Sequence, residues 1–280
     1  MKNAIEKISG MLNCPENWDF SGAKELYAGV DIGTFKTIII VVDEKGVPRA
    51  ANMRRTQVVQ SGLIMDYMGA VKAVTGLMAQ IKENCPHPIT KGATSYPPQT
   101  ESSNINTTRY ILEGLGLEVG KVLDEPSAAN LVLKLKDGAI VDVGGGTTGI
   151  AVIKDGKIVY TNDEATGGVH LSLVLAGSLK VSYEQAEQIK ADKKKTPQII
   201  QIVRPVIDKI SSIIQSNLKE FETVKTVCLV GGTCELDGLD EIVKKNLNLN
   251  VFTLNAAQMI TPYGIALSCL LKFRIISIFF

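Results

Sequence analysis

Two histidines in 280 residues, and five cysteines with no Cys-x-x-Cys pair among them, leave little material for a zinc site. The cysteines, Cys14, Cys85, Cys228, Cys234 and Cys269, are odd in number, which argues against a disulfide framework and suits a reducing cytosol. Charge of one sign is also missing: 30 basic residues against 29 acidic ones leave a net +1, so nothing in the balance points to nucleic acid or an anionic membrane surface. Residues 1–12 lack the unbroken apolar run of a signal peptide. No charge-free apolar stretch reaches the ~18 residues that span a bilayer. These absences predict an intracellular, cytoplasmic protein whose partners must be read from its sites. What is present is 45% hydrophobic side chains, enough for a sizeable core and, at this length, for about two domains.

Ile5, Ile8, Met11 and Leu12 fall near helical spacing before Pro15 and the Ser21-Gly22 pair break the pattern. Residues 1–22 therefore read as a separate amphipathic segment, which would pack on the protein's own body or dock onto a partner. From residue 26 the chain has the grammar of a hairpin: Tyr27-Ala28-Gly29-Val30-Asp31, then Ile38-Ile39-Ile40-Val41-Val42, then the turn Glu44-Lys45-Gly46. A second segment repeats it, with Ala139-Ile140-Val141-Asp142, three glycines, Ile150-Ala151-Val152-Ile153 and Lys154-Asp155-Gly156. The step from Asp to closing Gly is 15 residues in the first copy (31 to 46) and 14 in the second (142 to 156), which predicts one unit used twice and two similar lobes. Residues 68–84, 100–115, 183–195, 197–221 and 262–272 read as helices and 226–230 as a strand, so the lobes are of α/β type. Lobe I is expected over 23–137, completed by a C-terminal helix at 262–280, and lobe II over 138–261. The greasy end, Ile275, Ile276, Ile278, Phe279 and Phe280, reads as the last turns of a packed helix, with a sticky tail as the alternative.

Several short motifs bear on chemistry. Asp31-Ile32-Gly33-Thr34 ends a strand in a turn whose amides and hydroxyl can face phosphate oxygens, although an ordinary hairpin turn would look the same. Asp142-Val143-Gly144-Gly145-Gly146-Thr147-Thr148 says more, because successive glycines cost conformational entropy and make sense where backbone must approach something closely, as it would a bound phosphate. In Leu123-Asp124-Glu125-Pro126, Glu125 taken alone reads as the cap of a helix beginning at Pro126. Gly231-Gly232-Thr233 is a second glycine-rich turn after a strand, suited to letting a base or ribose lie against main chain. Glu187 and Lys190 would ordinarily sit on a solvated helix face.

Taken in order, Asp31-x-Gly33-Thr34, Glu125-Pro126, Asp142-x-Gly144-Gly145-Gly146-Thr147, Glu187-x-x-Lys190, Gly231-Gly232 and Pro262-x-Gly264-x-Ala266 resemble the actin, sugar-kinase and DnaK chaperone superfamily over residues 26–272. Within it, residues 60–67, QSGLIMDY, and the shortness of the chain look like the compact ethanolamine-utilisation chaperone-like branch, with pilus-assembly and rod-shape filament proteins as near neighbours. The resemblance implies a two-lobed actin-like ATPase fold of duplicated ribonuclease-H-like domains, with ATP and Mg2+ in the cleft. Asp31 and Asp142 would then hold magnesium through bound waters. Gly33, Thr34, Lys36, Gly144, Gly145, Gly146 and Thr147 would contact the phosphates. Glu125 would orient the attacking water and form the catalytic set with Asp31 and Asp142. Glu187 and Lys190 would touch ribose or adenine, Gly231 and Gly232 would lie beneath the nucleoside, and Gly167-Gly168 would form another turn near it. His170 reads as a packed or capping histidine.

The sequence also departs from the superfamily pattern. Thr148 and Gly149 stand where the chaperones carry an acidic residue, no catalytic lysine can be placed in residues 47–92, and no peptide-binding domain follows Pro262. The function implied is a nucleotide-gated chaperone or reactivating factor for ethanolamine-pathway enzymes or bacterial microcompartment proteins, with slow magnesium-dependent hydrolysis. A nucleotide-binding scaffold or filament protein without turnover is the alternative. A small-metabolite kinase ranks last, because no separate acidic base loop is found. Oligomeric state stays open at this stage.

Overall fold

A computed structural model describes residues 2–60 and 62–273 of the chain. The greasy end at 275–280 lies outside the described residues. The chain divides into two compact units, one running to Lys134 and resumed from Met259, the other Leu135–Gln258.

The first unit starts with helix α1 (Lys2–Met11). Strands β1 (Leu26–Ile32), β2 (Lys36–Asp43) and β3 (Pro48–Arg55) follow as an antiparallel meander. After a two-stranded ribbon, β4 (Val59–Gln60) and β5 (Leu63–Ile64), come helix α2 (Tyr67–Glu83), strand β6 (Lys91–Tyr96), helix α3 (Ser102–Glu113), strand β7 (Glu118–Asp124) and helix α4 (Glu125–Leu133). The main sheet has the order β3-β2-β1-β6-β7, with β6 and β7 added in parallel.

The second unit repeats this plan. Strands β8 (Gly138–Val143), β9 (Thr148–Lys154) and β10 (Lys157–Glu164) form the meander, then helices α5 (Gly168–Leu179), α6 (Tyr183–Ala191) and α7 (Thr196–Leu218) precede strand β11 (Thr226–Val230), helix α8 (Leu239–Leu247) and strand β12 (Asn250–Thr253). Its sheet order, β10-β9-β8-β11-β12, matches the first strand for strand. Helix α9 (Ile260–Phe273) then returns to the first unit.

Both sheets are covered well enough that strands read as continuous apolar runs rather than alternations. In β2, residues Thr37 to Asp43 are all buried. Helix α2 is started by Asp66, whose carboxylate accepts from the Gly69 amide at 2.8 Å. It buries Ala70, Val74, Leu77, Met78 and Ile81 at helical spacing against Ala28, Val30, Ile39 and Val41. In the second unit α7 does the same with Ile199, Val203, Ile207, Ile210 and Ile214, against Val141, Val143, Ile150 and Val227.

The N-terminal stripe is used inside the first unit. Ile5, Ile8 and Met11 are buried, α1 lies along β3, Leu12 pairs with Ala51, and the Asn13 carboxamide accepts from the Met53 amide at 2.7 Å. A ready-made strand edge is thereby covered. The stripe has no apolar face left for a partner, so the docking reading of this segment loses its support.

Helix α9 sits at backbone distance from its neighbours. A Cβ on Gly29 of β1 would run into the Ala266 backbone, and one on Gly264 would run into the Ala128 carbonyl of α4. The Tyr263 hydroxyl donates to the Gly46 carbonyl at 2.9 Å, pinning the hairpin turn beneath the helix. The motif Pro262-x-Gly264-x-Ala266 is therefore a packing motif, and it can be tested against a helix glycine of the opposite kind. Gly264→Val should lower stability by about 2–4 kcal/mol, the cost of a branched side chain forced into packed backbone. Gly177→Ala in α5, where nothing lies within 4 Å of a Cβ, should be neutral or stabilise by about 0.5–1 kcal/mol. Urea denaturation followed by circular dichroism separates the two; equal effects would remove the packing role of Gly264.

Candidate functional site

The two hairpins end in matching four-residue loops. Ile32 pairs with Thr37 and the Gly33 amide donates to the Lys36 carbonyl at 3.0 Å; Val143 pairs with Thr148 and the Gly144 amide donates to the Thr147 carbonyl at 2.9 Å. The threonine that closes each loop is fully buried. Thr37 shares a 3.2 Å hydroxyl contact with Thr56, and Thr148 donates to the Thr166 carbonyl at 2.6 Å. Asp31 and Asp142 stand at equivalent places, one residue before the end of the first strand of each meander.

In the second unit three segments meet at the loop. The Gly144 carbonyl accepts from the Gly168 amide at 3.0 Å and from the Thr233 hydroxyl at 2.8 Å, while the Gly145 carbonyl accepts from the Val169 amide at 2.8 Å. The carbonyls are thus turned toward the chain's own α5 and the turn after β11. The amides of Gly145, Gly146 and Thr147 find no acceptor among the described residues and stay partly open to solvent. A run of outward amides of this kind is an anion-binding concavity.

The surrounding glycines are there for fit. A Cβ on Gly167 would stand 2.8 Å from the Gly144 carbonyl oxygen and the Thr147 amide nitrogen. Gly231 has φ +92°, and its Cβ would strike the Asp142 carboxylate and, at 2.6 Å, the Val143 carbonyl. Gly144 is different: a Cβ there would meet only the Thr147 carbonyl, at an ordinary 3.5 Å. Neither crowding nor a left-handed backbone explains glycine at 144.

Glu187 and Lys190 are not on a solvated face. The Glu187 side chain is 8% exposed and bonds to the Ser172 hydroxyl. Lys190 donates to Glu187 at 2.6 Å, to Ser172 at 2.6 Å and to the Gly168 carbonyl at 3.1 Å. The pair locks α6 onto the start of α5, beside the loop. His170 is a capping residue, its Nδ1 accepting from the Gly167 amide at 3.2 Å.

Glu125 does not cap α4. Asp124 does, accepting from the Ser127 amide at 2.8 Å and from its hydroxyl at 2.6 Å, because its extended backbone aims the carboxylate at the open amides. Glu125 occupies the first helical turn and is half-buried. Reading the Asp-Glu-Pro run from sequence puts the cap one residue late.

One residue beside the loop is absent from the sequence-derived set. Asp163 of β10 shares a row of the sheet with Asp142, both paired with Gly149. Burial drives its carboxyl up from the ordinary value to about 6, the neighbouring Asp142 and Glu164 charges push the same way, and the Thr147 side chain acts in the opposite direction. Among the described residues no three His, Cys, Asp or Glu side chains cluster so as to hold a metal directly, and no helix is long and apolar enough to cross a membrane.

Two duplicated α/β units with matched Asp-x-Gly loops define the actin-like ATPase fold, and comparison with known structures agrees. MreB 5 of Spiroplasma citri, solved bound to AMPPNP, superposes with a TM-score of 0.71 at 13% identity, covering 86% of this chain and 95% of that one. The family model described as type IV pilus assembly protein PilM matches residues 130–266. The ethanolamine utilization protein EutJ of Escherichia coli K12 is 39% identical over 245 residues, 87% of this chain and 86% of its own. The crystal structure of EutJ from Carboxydothermus hydrogenoformans superposes with a TM-score of 0.89 at 38% identity, covering 95% of this chain and 97% of that one. The chain belongs to the EutJ family of ethanolamine utilization proteins.

The raised Asp163 carboxyl makes a stability prediction with a definite sign. Its folded value near 6 lies above the ordinary 3.8, so the stability it contributes is full below about pH 4 and is lost as pH rises through 6. Asp163→Asn should therefore be more stable than the parent at pH 7.5, by about 1–3 kcal/mol, with the advantage shrinking toward pH 4. Urea midpoints at pH 4.5, 6 and 7.5 test this, and a variant less stable at pH 7.5 contradicts it.

Proposed function

We propose that the chain binds ATP with magnesium and uses it as a conformational switch while assisting enzymes or microcompartment proteins of ethanolamine breakdown. The observation that carries this reading is the loop Gly144–Thr147, which spends its carbonyls inside the unit and leaves successive amides outward, with a glycine at 144 that the fold itself does not require. In this reading Asp142, at the base of that loop, and Asp31, at the base of its counterpart, would each offer a carboxylate to water-held magnesium. When bound, magnesium would neutralise phosphate charge and orient the polyphosphate.

The remaining residues take the roles that the family resemblance implies. The amides of Gly145, Gly146 and Thr147, with Gly33, Thr34 and Lys36 of the first loop, hold phosphate oxygens. Lys190, kept in place by Glu187 and Ser172, would contact the nucleoside together with Gly168, and Gly231-Gly232, whose main chain lies next to Asp142, would lie beneath it. Glu125, next to the capping Asp124, would orient the attacking water. Hydrolysis is slow in this reading, and the protein resides in the cytoplasm, where it associates with the microcompartment. Differential affinity of the open and closed forms for nucleotide supplies the switch. The second reading, a nucleotide-binding scaffold or filament protein without turnover, is favoured by Gly149, which leaves no acidic side chain directly after the loop.

Titration calorimetry with magnesium and ATP should show one site, and Gly145→Val should abolish it by placing a side chain in phosphate space. No binding at millimolar ATP rules the reading out. Glu125→Gln should keep ATP affinity and lose single-turnover phosphate release by about 100-fold, whereas Asp31→Asn and Asp142→Asn should weaken magnesium-dependent binding. A Glu125→Gln protein that hydrolyses as fast as the parent leaves Glu125 a helix-start residue. A parent with no turnover above background, and with ATP-dependent sedimentation, is a scaffold.

A further inference from the structure

We propose that Thr233 is a positioning residue that joins the nucleoside half of the site to the phosphate half: by holding the Gly144 carbonyl it aims the Gly145 amide outward, and it does so only while the turn after β11 is seated against the loop. This rests on the reading that the chain binds ATP, and adds how the two halves act on each other. Thr233 lies in a single turn of 3-10 helix, Gly232–Glu235, directly after Gly231. Its hydroxyl donates to the Gly144 carbonyl at 2.8 Å. The same hydroxyl borders the start of α5, since a Cβ on Gly168 would stand 2.5 Å from it. Loop, helix and turn therefore meet at one side-chain oxygen. The turn is itself fixed: the Gly231 amide donates to the Ala257 carbonyl at 3.3 Å, the Leu236 amide to the Thr233 carbonyl at 3.2 Å, and the Cys234 thiol to the Val230 carbonyl at 2.9 Å. Burial raises that thiol well above its ordinary value, so it stays protonated and keeps its proton to donate.

The carbonyl of Gly144 and the amide of Gly145 belong to one peptide unit, and in a trans peptide the two point in opposite directions. Holding that carbonyl inward is therefore the same act as aiming that amide outward. Glycine on both sides of the unit gives it more freedom to turn over than any other pair of residues would. Turned over, it would show an oxygen to phosphates, which are themselves acceptors. The Gly168 amide fills one lone pair of the Gly144 oxygen and Thr233 fills the other. The next unit is held from α5, where the Val169 amide donates to the Gly145 carbonyl at 2.8 Å. Of these three holders, Gly168 and Val169 act through main chain and Thr233 through a side chain. Thr233 is thus the holder that substitution can remove, and it reaches the loop from the turn on which the nucleoside would rest. A nucleoside that seats the turn fixes the amide that meets the phosphates.

The test is calorimetric titration of ATP and, by displacement, of AMP, with magnesium present, into the parent, Thr233→Val, Thr233→Ser and Thr253→Val. The quantity read is the ratio of AMP to ATP dissociation constants, which measures what the outer phosphates add. Thr233→Val should cut this ratio about tenfold, the order that one hydrogen bond is worth, with AMP affinity within about twofold of the parent. Thr233→Ser keeps the hydroxyl and should keep the ratio. Thr253→Val is the control for a merely structural hydroxyl: Thr253 donates to the Leu229 carbonyl at 3.1 Å within the same sheet, so its loss should lower the urea midpoint and leave the ratio unchanged. If Thr233→Val keeps the parent ratio, or weakens AMP and ATP equally, the positioning role is overturned while ATP binding stands. If Thr233→Ser loses as much as Thr233→Val, the hydroxyl is not what matters and the assignment is again wrong. A parent that binds no ATP overturns this inference together with the function beneath it. Should Thr233→Val fail to fold, Thr233→Ala replaces it: a reduced ratio in Ala with retention in Ser supports the role, and equal ratios overturn it.

Discussion

The second unit is organised around one carbonyl. The Gly144 oxygen accepts both the first amide of α5 and the hydroxyl of Thr233, so a single acceptor ties the hairpin loop to the helix and to the turn after β11. A carbonyl has two lone pairs, and both are used. Once they are spent inward, the peptide units that follow must turn their amides the other way, so the outward amides of the loop follow from that geometry rather than from any charged side chain. The close approach this demands explains the glycines at 167 and 231, though not the one at 144. Gly167 and Gly231 admit the loop, since a Cβ at either would stand inside it.

Burying charge beside such a loop is costly unless every charge is matched. The lock between α5 and α6 meets that condition, because Glu187, Ser172 and Lys190 satisfy one another and the remaining Lys190 donor reaches the Gly168 carbonyl. Its effect is to hold the start of α5 in one place while Gly168 is already engaged with Gly144. Asp163 is matched less completely: burial and the neighbouring charges of Asp142 and Glu164 all raise its carboxyl.

The duplication was legible in the sequence because it is written in strongly constrained residues. Asp-x-Gly, an apolar run and a charged-Gly turn recur at nearly equal spacing, and helices α2 and α7 carry long apolar periods that place them within a residue or three of where they lie. Other elements left weaker traces. Strand β7 reads as polar, since Glu118, Lys121 and Asp124 interrupt it, and β10 ends in Thr161-Asn162-Asp163-Glu164, which has the composition of a surface loop. Helix α5 was hidden behind Gly167-Gly168, a pair that marks a turn in isolation and here begins a helix because the Gly144 loop leaves no room for side chains. The cap at Asp124 was misplaced by one residue, an error that only backbone geometry could correct.

Asp163 was illegible for a more specific reason. Strand alternation assigns each residue a face only while the register is unbroken, and one extra residue at Val159 flips everything beyond it. Counting back from the β9–β10 turn puts Asp163 opposite Thr148, on the face of the packed core, where an acidic residue would be a poor fit. The bulge moves it opposite Gly149 and onto the face of Asp142. Bulges recur where a sheet must re-aim a side chain, and this one moves a residue with the composition of a surface loop into the row of Gly149 and Asp142. The glycine at 149 and the aspartate at 163 then make sense as one arrangement: an empty place on the central strand, and a carboxylate reaching the same row from the strand beside it.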